Sequence, residues 1–184
     1  MRNENNVPDD AAGAVISVQR YHSPAGELIL GSFDGRLCLC DWLHGRHRKS
    51  TDARIRKNLS AVYVEQSSQT IRLAAEQLDE YFARKRTSFD IPLLFVGTDF
   101  QKIVWEELSN IPYGAKISYG ELARRIGKPN HVRATANANG ANPISIFAPC
   151  HRVIGSTGNL TGYGGGLAAK KILLELESGI IPLL

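Results

Sequence analysis

Cysteine is scarce. The chain has three in 184 residues, Cys38, Cys40 and Cys150, and they are unevenly spaced. That excludes a disulfide framework and fits a reducing, cytoplasmic compartment. No run approaches the apolar length needed to span a bilayer, so no membrane role is expected. Met1 to Ala12 is polar and lacks the apolar core of a signal peptide, and residues 1–13 are expected to form a disordered tail. Acid is missing from one stretch in particular. Between Gly114 and Leu174 stand eight basic residues, Lys116, Arg124, Arg125, Lys128, Arg133, Arg152, Lys170 and Lys171, against the single acid Glu121. Such an excess attracts a polyanion, and phosphate backbone is the usual one, although a solvated basic face without a partner has the same composition.

What is present divides into two parts. Over residues 14–95, strand patterns begin at Val15–Val18, alternate through Glu27–Phe33 and again through Arg36–Trp42, with the hairpin signal Asp34-Gly35 between the last two. From Thr70 to Arg86 the apolar positions Ile71, Ala74, Leu78, Tyr81 and Phe82 keep helical spacing. Asp90 to Val96 reads as an extended linker. Residues 96–184 open with Thr98-Asp99-Phe100-Gln101, a capping box. Its helix is broken by Pro112-Tyr113-Gly114. A second box, Ser118 to Glu121, starts a helix that stops at Gly127, and after Lys128-Pro129-Asn130 a third runs from His131 to about Asn139. The pair has the outline of a helix-turn-helix. The third helix carries Arg133 among small residues, Ala134, Thr135, Ala136, Asn137, Ala138 and Asn139, and Gly140 ends it. That is a surface a groove can approach closely, or equally a tightly buried helix. Ile144–Ala148 reads as a short buried strand leading into Pro149-Cys150-His151-Arg152-Val153. The loop from Gly155 to Gly166 holds six glycines, and a last helix spans Leu167–Glu177.

Cys150 beside His151 pairs a nucleophile with a base, and Glu177 could orient the imidazole. The dipeptide alone does not separate a reactive thiol from a buried inert one. Cys38 and Cys40 fall on one predicted strand face, with His44 and His47 nearby. Their spacing matches no zinc pattern well, so no metal is expected.

The run Pro149-Cys150-His151-Arg152-Val153-Ile154-Gly155 resembles the active-site signature of the O6-alkylguanine-DNA alkyltransferases. The resemblance extends upstream through Ile117-Ser118-Tyr119-Gly120-Glu121-Leu122-Ala123, Arg133-Ala134 and Asn139-Gly140-Ala141-Asn142-Pro143. Downstream it takes in Leu160-Thr161-Gly162-Tyr163, Gly165-Gly166-Leu167, Lys170, Leu173-Leu174 and Glu177. It is dense over 97–178; before that it rests on Ser23-Pro24-Ala25-Gly26-Glu27-Leu28 and general pattern.

The resemblance implies stoichiometric transfer of an alkyl group from O6-alkylguanine in double-stranded DNA to Cys150, with the nucleotide flipped out and no cofactor. It also implies roles. His151 takes the thiol proton through a water and is held by Glu177. Asn142 braces the turn, Tyr119 donates to the guanine, and Lys170 supports the leaving base. Arg133 fills the gap in the duplex, while Ala134, Ala138, Asn139, Gly140, Arg124 and Lys128 lie on the DNA side. Val153, Tyr163 and Gly164 read the guanine edge. Three residues depart from the family pattern: Asp99 replaces proline, Thr135-Ala136 replaces valine-glycine, and Ala148 replaces a branched residue. The second puts DNA affinity at issue and the third the packing behind the thiol.

The expected architecture is α+β: a small strand-and-helix domain over 14–95 packed on a mostly helical domain over 96–184 with the helix-turn-helix, acting as a monomer. Two other functions fit parts of the pattern. A DNA-binding damage flag would mark lesions without transfer. A cysteine hydrolase would use Cys150, His151 and Glu177 but leave Arg133 and the helix-turn-helix without purpose.

Overall fold

A computed structural model describes residues 13–179; the expected tail at 1–13 therefore lies outside the described residues apart from Gly13. The fold is α+β. Strands β1 (Ala14–Ser23), β2 (Gly26–Phe33) and β3 (Arg36–Trp42) form a meander, with helix α1 (Arg48–Leu59), strand β4 (Ala61–Glu65) and helix α2 (Gln69–Phe82) following. The sheet order is β3-β2-β1-β4, antiparallel except for the parallel β1–β4 pair. Asp34 and Gly35 both take positive φ, 49° and 70°, the twist a two-residue hairpin demands. The C-terminal part holds α3 (Asp99–Ser109), the short strand β5 (Ile117–Ser118), α4 (Tyr119–Arg125) and α5 (Val132–Gly140). A 3₁₀ turn (Cys150–Arg152), strand β6 (Val153–Ile154) and α6 (Gly166–Glu177) complete it. Among the described residues no helix is long and apolar enough to cross a membrane.

Local chemistry explains most boundaries. The Thr98 hydroxyl accepts from Gln101 N while the Gln101 side chain accepts from Thr98 N, closing the capping box at α3. At α4 only half of the expected box forms: Ser118 caps Glu121 N, but the Glu121 carboxylate is drawn away to Arg124 and Arg125. Helix α2 stops at Phe82, short of the expected Arg86, because Arg84 turns to φ +57° and Arg86 bridges Glu80 and Asp90. Helix α1 and β4 escaped the sequence reading. α1 has few apolar residues, burying only Thr51 and Ile55, so it carries little amphipathic signal.

The outer edge of β3 is not left open. Leu37 exchanges backbone hydrogen bonds with Pro92 and Leu94, and Cys40 exchanges them with Pro143 and Ser145. The sheet thus runs directly into the segment leading to Cys150, and all of β3 beyond Arg36 is buried. A bulge against Gly31–Ser32 alters its alternation. Cys38 therefore packs with Ile16, Ile55 and Val96, whereas Cys40 packs with Leu28, Ile144 and Phe147 on the other side. The expectation that the two cysteines share a face is corrected by this bulge; His44 and His47 are exposed.

Candidate active site and nucleic-acid face

Ile144–Ala148 is not the strand expected from its apolar run. Only Ile144 bridges to Cys40, and the chain then coils. Ile146 sits at φ +73°, and Phe147 N donates to Ser145 O at 2.9 Å, a γ-turn that a β-branched residue adopts only under strain. Asn142 holds the coil shut: its Oδ1 accepts from Ile144 N at 3.0 Å and its Nδ2 donates to Ala148 O at 2.8 Å. Those bonds place Pro149 and the 3₁₀ turn, so that adjacent Cys150 and His151 are presented from a turn instead of from opposite faces of a strand.

Cys150 is 4% exposed. Burial pushes its thiol up to about 11, against the pull of hydrogen bonds from Asn142 and Ser145 and the charge of Lys170. His151 is fully buried. Its Nε2 lies 2.8 Å from Glu177 Oε1 and so carries the proton, while Nδ1 is buried with no protein partner among the described residues. Burial lowers the imidazole pKa despite Glu177, so the ring is a neutral base with a vacant lone pair. Burial alone would raise the Glu177 carboxyl, but hydrogen bonds from His151 and Arg152 override it and hold it near 2. Arg152 grips both carboxylate oxygens at 2.9 Å, Tyr81 donates at 2.8 Å and Gly114 N at 3.0 Å. The sequence reading found the Cys150-His151-Glu177 line but not these three supports. Arg152 stands within the quoted run, and Tyr81 shows in the sequence only as an apolar position at helical spacing.

Lys170 is also fully buried. Its ammonium donates to Val153 O at 2.6 Å and Thr161 O at 2.9 Å, so it ties β6 to the middle of the glycine-rich loop and acts on the site through backbone. With Glu177 neutralising Arg152, neither cation belongs to the basic surface where composition placed them. Arg124 and Arg125 are partly neutralised by Glu121, and Lys128 and Arg133 are exposed with no ion pair among the described residues.

Helix α5 is two-sided. Val132, Arg133, Ala134 and Asn137 face solvent, Ala136 and Gly140 are half-buried, and Thr135, Ala138 and Asn139 are buried. The placing of Ala138 and Asn139 on the DNA side is therefore corrected. Ala138 packs on Val104, Trp105 and Leu122, and its carbonyl accepts from Trp105 Nε1 at 2.8 Å. Asn139 faces inward to the thiol cavity. The exposed face overhangs an open cleft of about 610 Å³ that takes in Tyr119, Ala136, Asn137, Gly140 and the loop Thr161–Gly164. Beneath it lies a cavity of about 10 Å³ containing Cys150, Asn139, Asn142 and Ser145, the size of one water. His47, Gly140 and Gly162–Gly164 border both spaces. Tyr119 is half-buried at the start of α4, its phenol raised by burial. Tyr163 stacks edge-on against Trp42 at 5.7 Å, and a Cβ on Gly165 would collide with that indole, so glycine is required there for the loop to lie down.

Comparison with known proteins agrees with this geometry. Residues 99–179 match the family model of the 6-O-methylguanine DNA methyltransferase DNA-binding domain, and residues 18–95 that of its ribonuclease-like domain. A methylated-DNA–protein-cysteine methyltransferase of Methanosarcina barkeri is 46% identical over 84% of this chain and 92% of its own length. One from Mycobacterium tuberculosis is 56% identical over 59% of this chain, a match spanning 66% of that relative. The crystal structure of M. tuberculosis OGT in complex with DNA superposes with TM-score 0.77 at 42% identity, covering 90% of this chain and 95% of that one. The O6-methylguanine-DNA methyltransferase of Pyrococcus kodakaraensis gives TM-score 0.61 at 27% identity, covering 88% and 98%.

Proposed function

The chain belongs to the 6-O-methylguanine DNA methyltransferase family, and from that premise we propose that it repairs DNA by moving an alkyl group from O6 of guanine to Cys150. One observation carries the reading. A buried thiol, with a histidine whose proton sits on the far nitrogen, lies directly beneath an exposed, arginine-bearing helix of a helix-turn-helix. A hydrolase would share the first feature and a DNA-binding module the second; the juxtaposition serves a reaction on DNA.

The target oxygen lies inside the base stack, so the nucleotide must leave the duplex to reach a buried thiol. Arg133, projecting from α5, fills the vacated space. Ala134 and the partly open Ala136 let the helix backbone sit close to a groove, and Lys128 and Arg124 meet phosphates. In the cleft Tyr119 hydrogen-bonds the base, while backbone of Val153, Tyr163 and Gly164 reads its edge. His151 Nδ1 takes the thiol proton through a water. The sulfur lone pair forms the S–C bond, the C–O6 bond breaks, and its electron pair stays with guanine, which regains one proton with Tyr119 donating. The balance is alkylguanine plus thiol giving guanine plus thioether. No cofactor enters, and the stable thioether ends each molecule's activity after one event.

The same reading treats 14–95 and 96–184 as two domains of a monomer acting in the cytoplasm, where the acceptor thiol stays reduced. Intact mass tests it. Mixed with O6-methylguanine duplex, the wild type gains one methyl on Cys150. Cys150→Ser gains none yet still binds duplex, because a hydroxyl is a far weaker nucleophile. Methyl on Cys38 or Cys40 overturns the assignment; both thiols are buried, Cys38 pushed up to about 12 and Cys40 also well above its ordinary value.

A further inference from the structure

The thiol cavity is closed on one side by the N-terminal part of the molecule, through Asp41, His47 and Thr51. Asp41 is the unexpected member. It follows Cys40 on the strand edge that pairs with Pro143 and Ser145, so its side chain is delivered beside the coil that carries Cys150. It is 5% exposed. One oxygen accepts from Trp42 N at 2.9 Å; the other has no hydrogen bond, and the carboxylate no ion pair, among the described residues. Burial pushes this carboxyl up to about 6. A buried acid with one unbonded oxygen, offset by the charges of Arg48 and Arg54, thus stands in the cavity of a thiol whose ionisation it opposes. Nothing in the transfer step explains it.

The geometry of displacement does. Sulfur, transferred carbon and O6 must lie in line. Anything else attached to that carbon projects sideways from the line. The base occupies the outer cleft, so the space left for a substituent is the inner cavity, with Asp41, Thr51, Asn139, Asn142 and Ser145 around it. A methyl has no further substituent. An apolar extension would strip water from the free carboxylate oxygen and return nothing, whereas a hydroxyl would donate to it. His47, Gly140 and Gly162–Gly164 border both spaces, so a substituent would pass between them to take the place of the one water the cavity can hold.

We propose that Asp41 is a specificity-determining residue of the acceptor cavity, favouring O6 substituents that end in a hydroxyl, such as 2-hydroxyethyl, over apolar groups of the same size, such as propyl. The proposal rests on the alkyl-transfer reading. It is tested by single-turnover transfer at saturating protein, using duplexes that carry O6-methyl-, O6-(2-hydroxyethyl)- or O6-propylguanine. The readout is the hydroxyethyl-to-propyl rate ratio within each protein, which cancels any general loss of fold or activity. The wild type should show a ratio of about ten, the scale of one hydrogen bond to a charged acceptor. Asp41→Asn, which keeps the shape and the bond to Trp42, should retain a reduced preference, and Asp41→Ala should bring the ratio near one. A wild-type ratio near or below one, or a ratio unchanged in both variants, overturns the assignment. Absence of any methyl on wild-type Cys150 would instead overturn the transfer reading itself.

Discussion

Around Cys150 the charged side chains are buried, and all but Asp41 are paired: Glu177 with His151 and Arg152, Lys170 with two carbonyls. On α5 the charge is left in solvent, with Arg133 exposed and no ion pair among the described residues. The two regions are neighbours, yet they treat charge in opposite ways, as the work proposed for each requires. Proton transfer needs groups fixed in a dry site, where each interaction is strong and reorganisation is avoided. Phosphate binding needs cations that meet their partner only on arrival, when counterions are released. Charge counted along the sequence merges the two populations; burial separates them.

The most damaging way to test this contrast is to unbalance the buried side. Glu177→Gln leaves Arg152 as an uncompensated buried cation and should cost about 3–5 kcal/mol, seen as a lower midpoint in urea unfolding. Adding Arg152→Met should recover part of that stability but not the transfer rate, since His151 still lacks its anionic support. A Glu177→Gln midpoint equal to the wild type would show that the buried ion pairs are dispensable.

Next comes pH. Glu177 is held near 2 in the fold against 4.5 when free. The folded state therefore binds fewer protons, and this contribution is full above pH 4.5 and lost as pH falls toward 2. The shift is worth about 3 kcal/mol by the usual conversion. His151, also lowered, adds loss in the same direction below its ordinary 6.5. Cys150 runs the other way: raised from 9.0 to about 11, it contributes stability that is full below pH 9 and lost toward 11. Calorimetry should show Tm falling at both ends. The acid limb should flatten in Glu177→Gln and the alkaline limb in Cys150→Ala. Arg133→Ala should leave both limbs unchanged, because Arg133 is exposed on α5 and makes no ion pair with Glu177 or any other described residue.

The smallest effect on the protein itself is expected from Arg133→Ala, and it should appear only with DNA. Unfolding midpoints should match the wild type. The slope of log affinity against log salt should drop by about one, and duplex repair at saturating DNA should slow roughly tenfold, a fraction of the few kcal/mol that unstacking costs. Reaction with free O6-benzylguanine should fall far less, as a free base leaves no gap. Full recovery of the duplex rate at saturation would reduce Arg133 to a phosphate anchor.

The legible parts of the molecule were those governed over a few residues. The hairpin at Asp34-Gly35, the box at Thr98 and Gln101, the stop at Gly127 with φ +70°, and the cysteine turn with its motif were all open to reading, because turn and cap chemistry acts between near neighbours. The misread parts shared a different cause. Ile144–Ala148 has a strand's composition, but its backbone bonds are taken by Asn142, Cys40 and its own turn. Ala138 and Asn139 suit an exposed small-residue face, but Trp105 and the thiol cavity claim them.

Sequence by itself therefore determined the α+β composition, the helix-turn-helix outline and the identity of Cys150, His151, Glu177 and Arg133 as the residues to watch. Tertiary structure alone decided which cations are free, that Tyr81, Arg152 and Gly114 hold Glu177, that a bulge parts Cys38 from Cys40, and that Asp41 enters the acceptor cavity. The physical reason is range. Tyr81 and Glu177 are 96 positions apart, and Arg54 reaches across 87 to Ala141. Such pairs are set by which packed surfaces meet, and no local propensity records them.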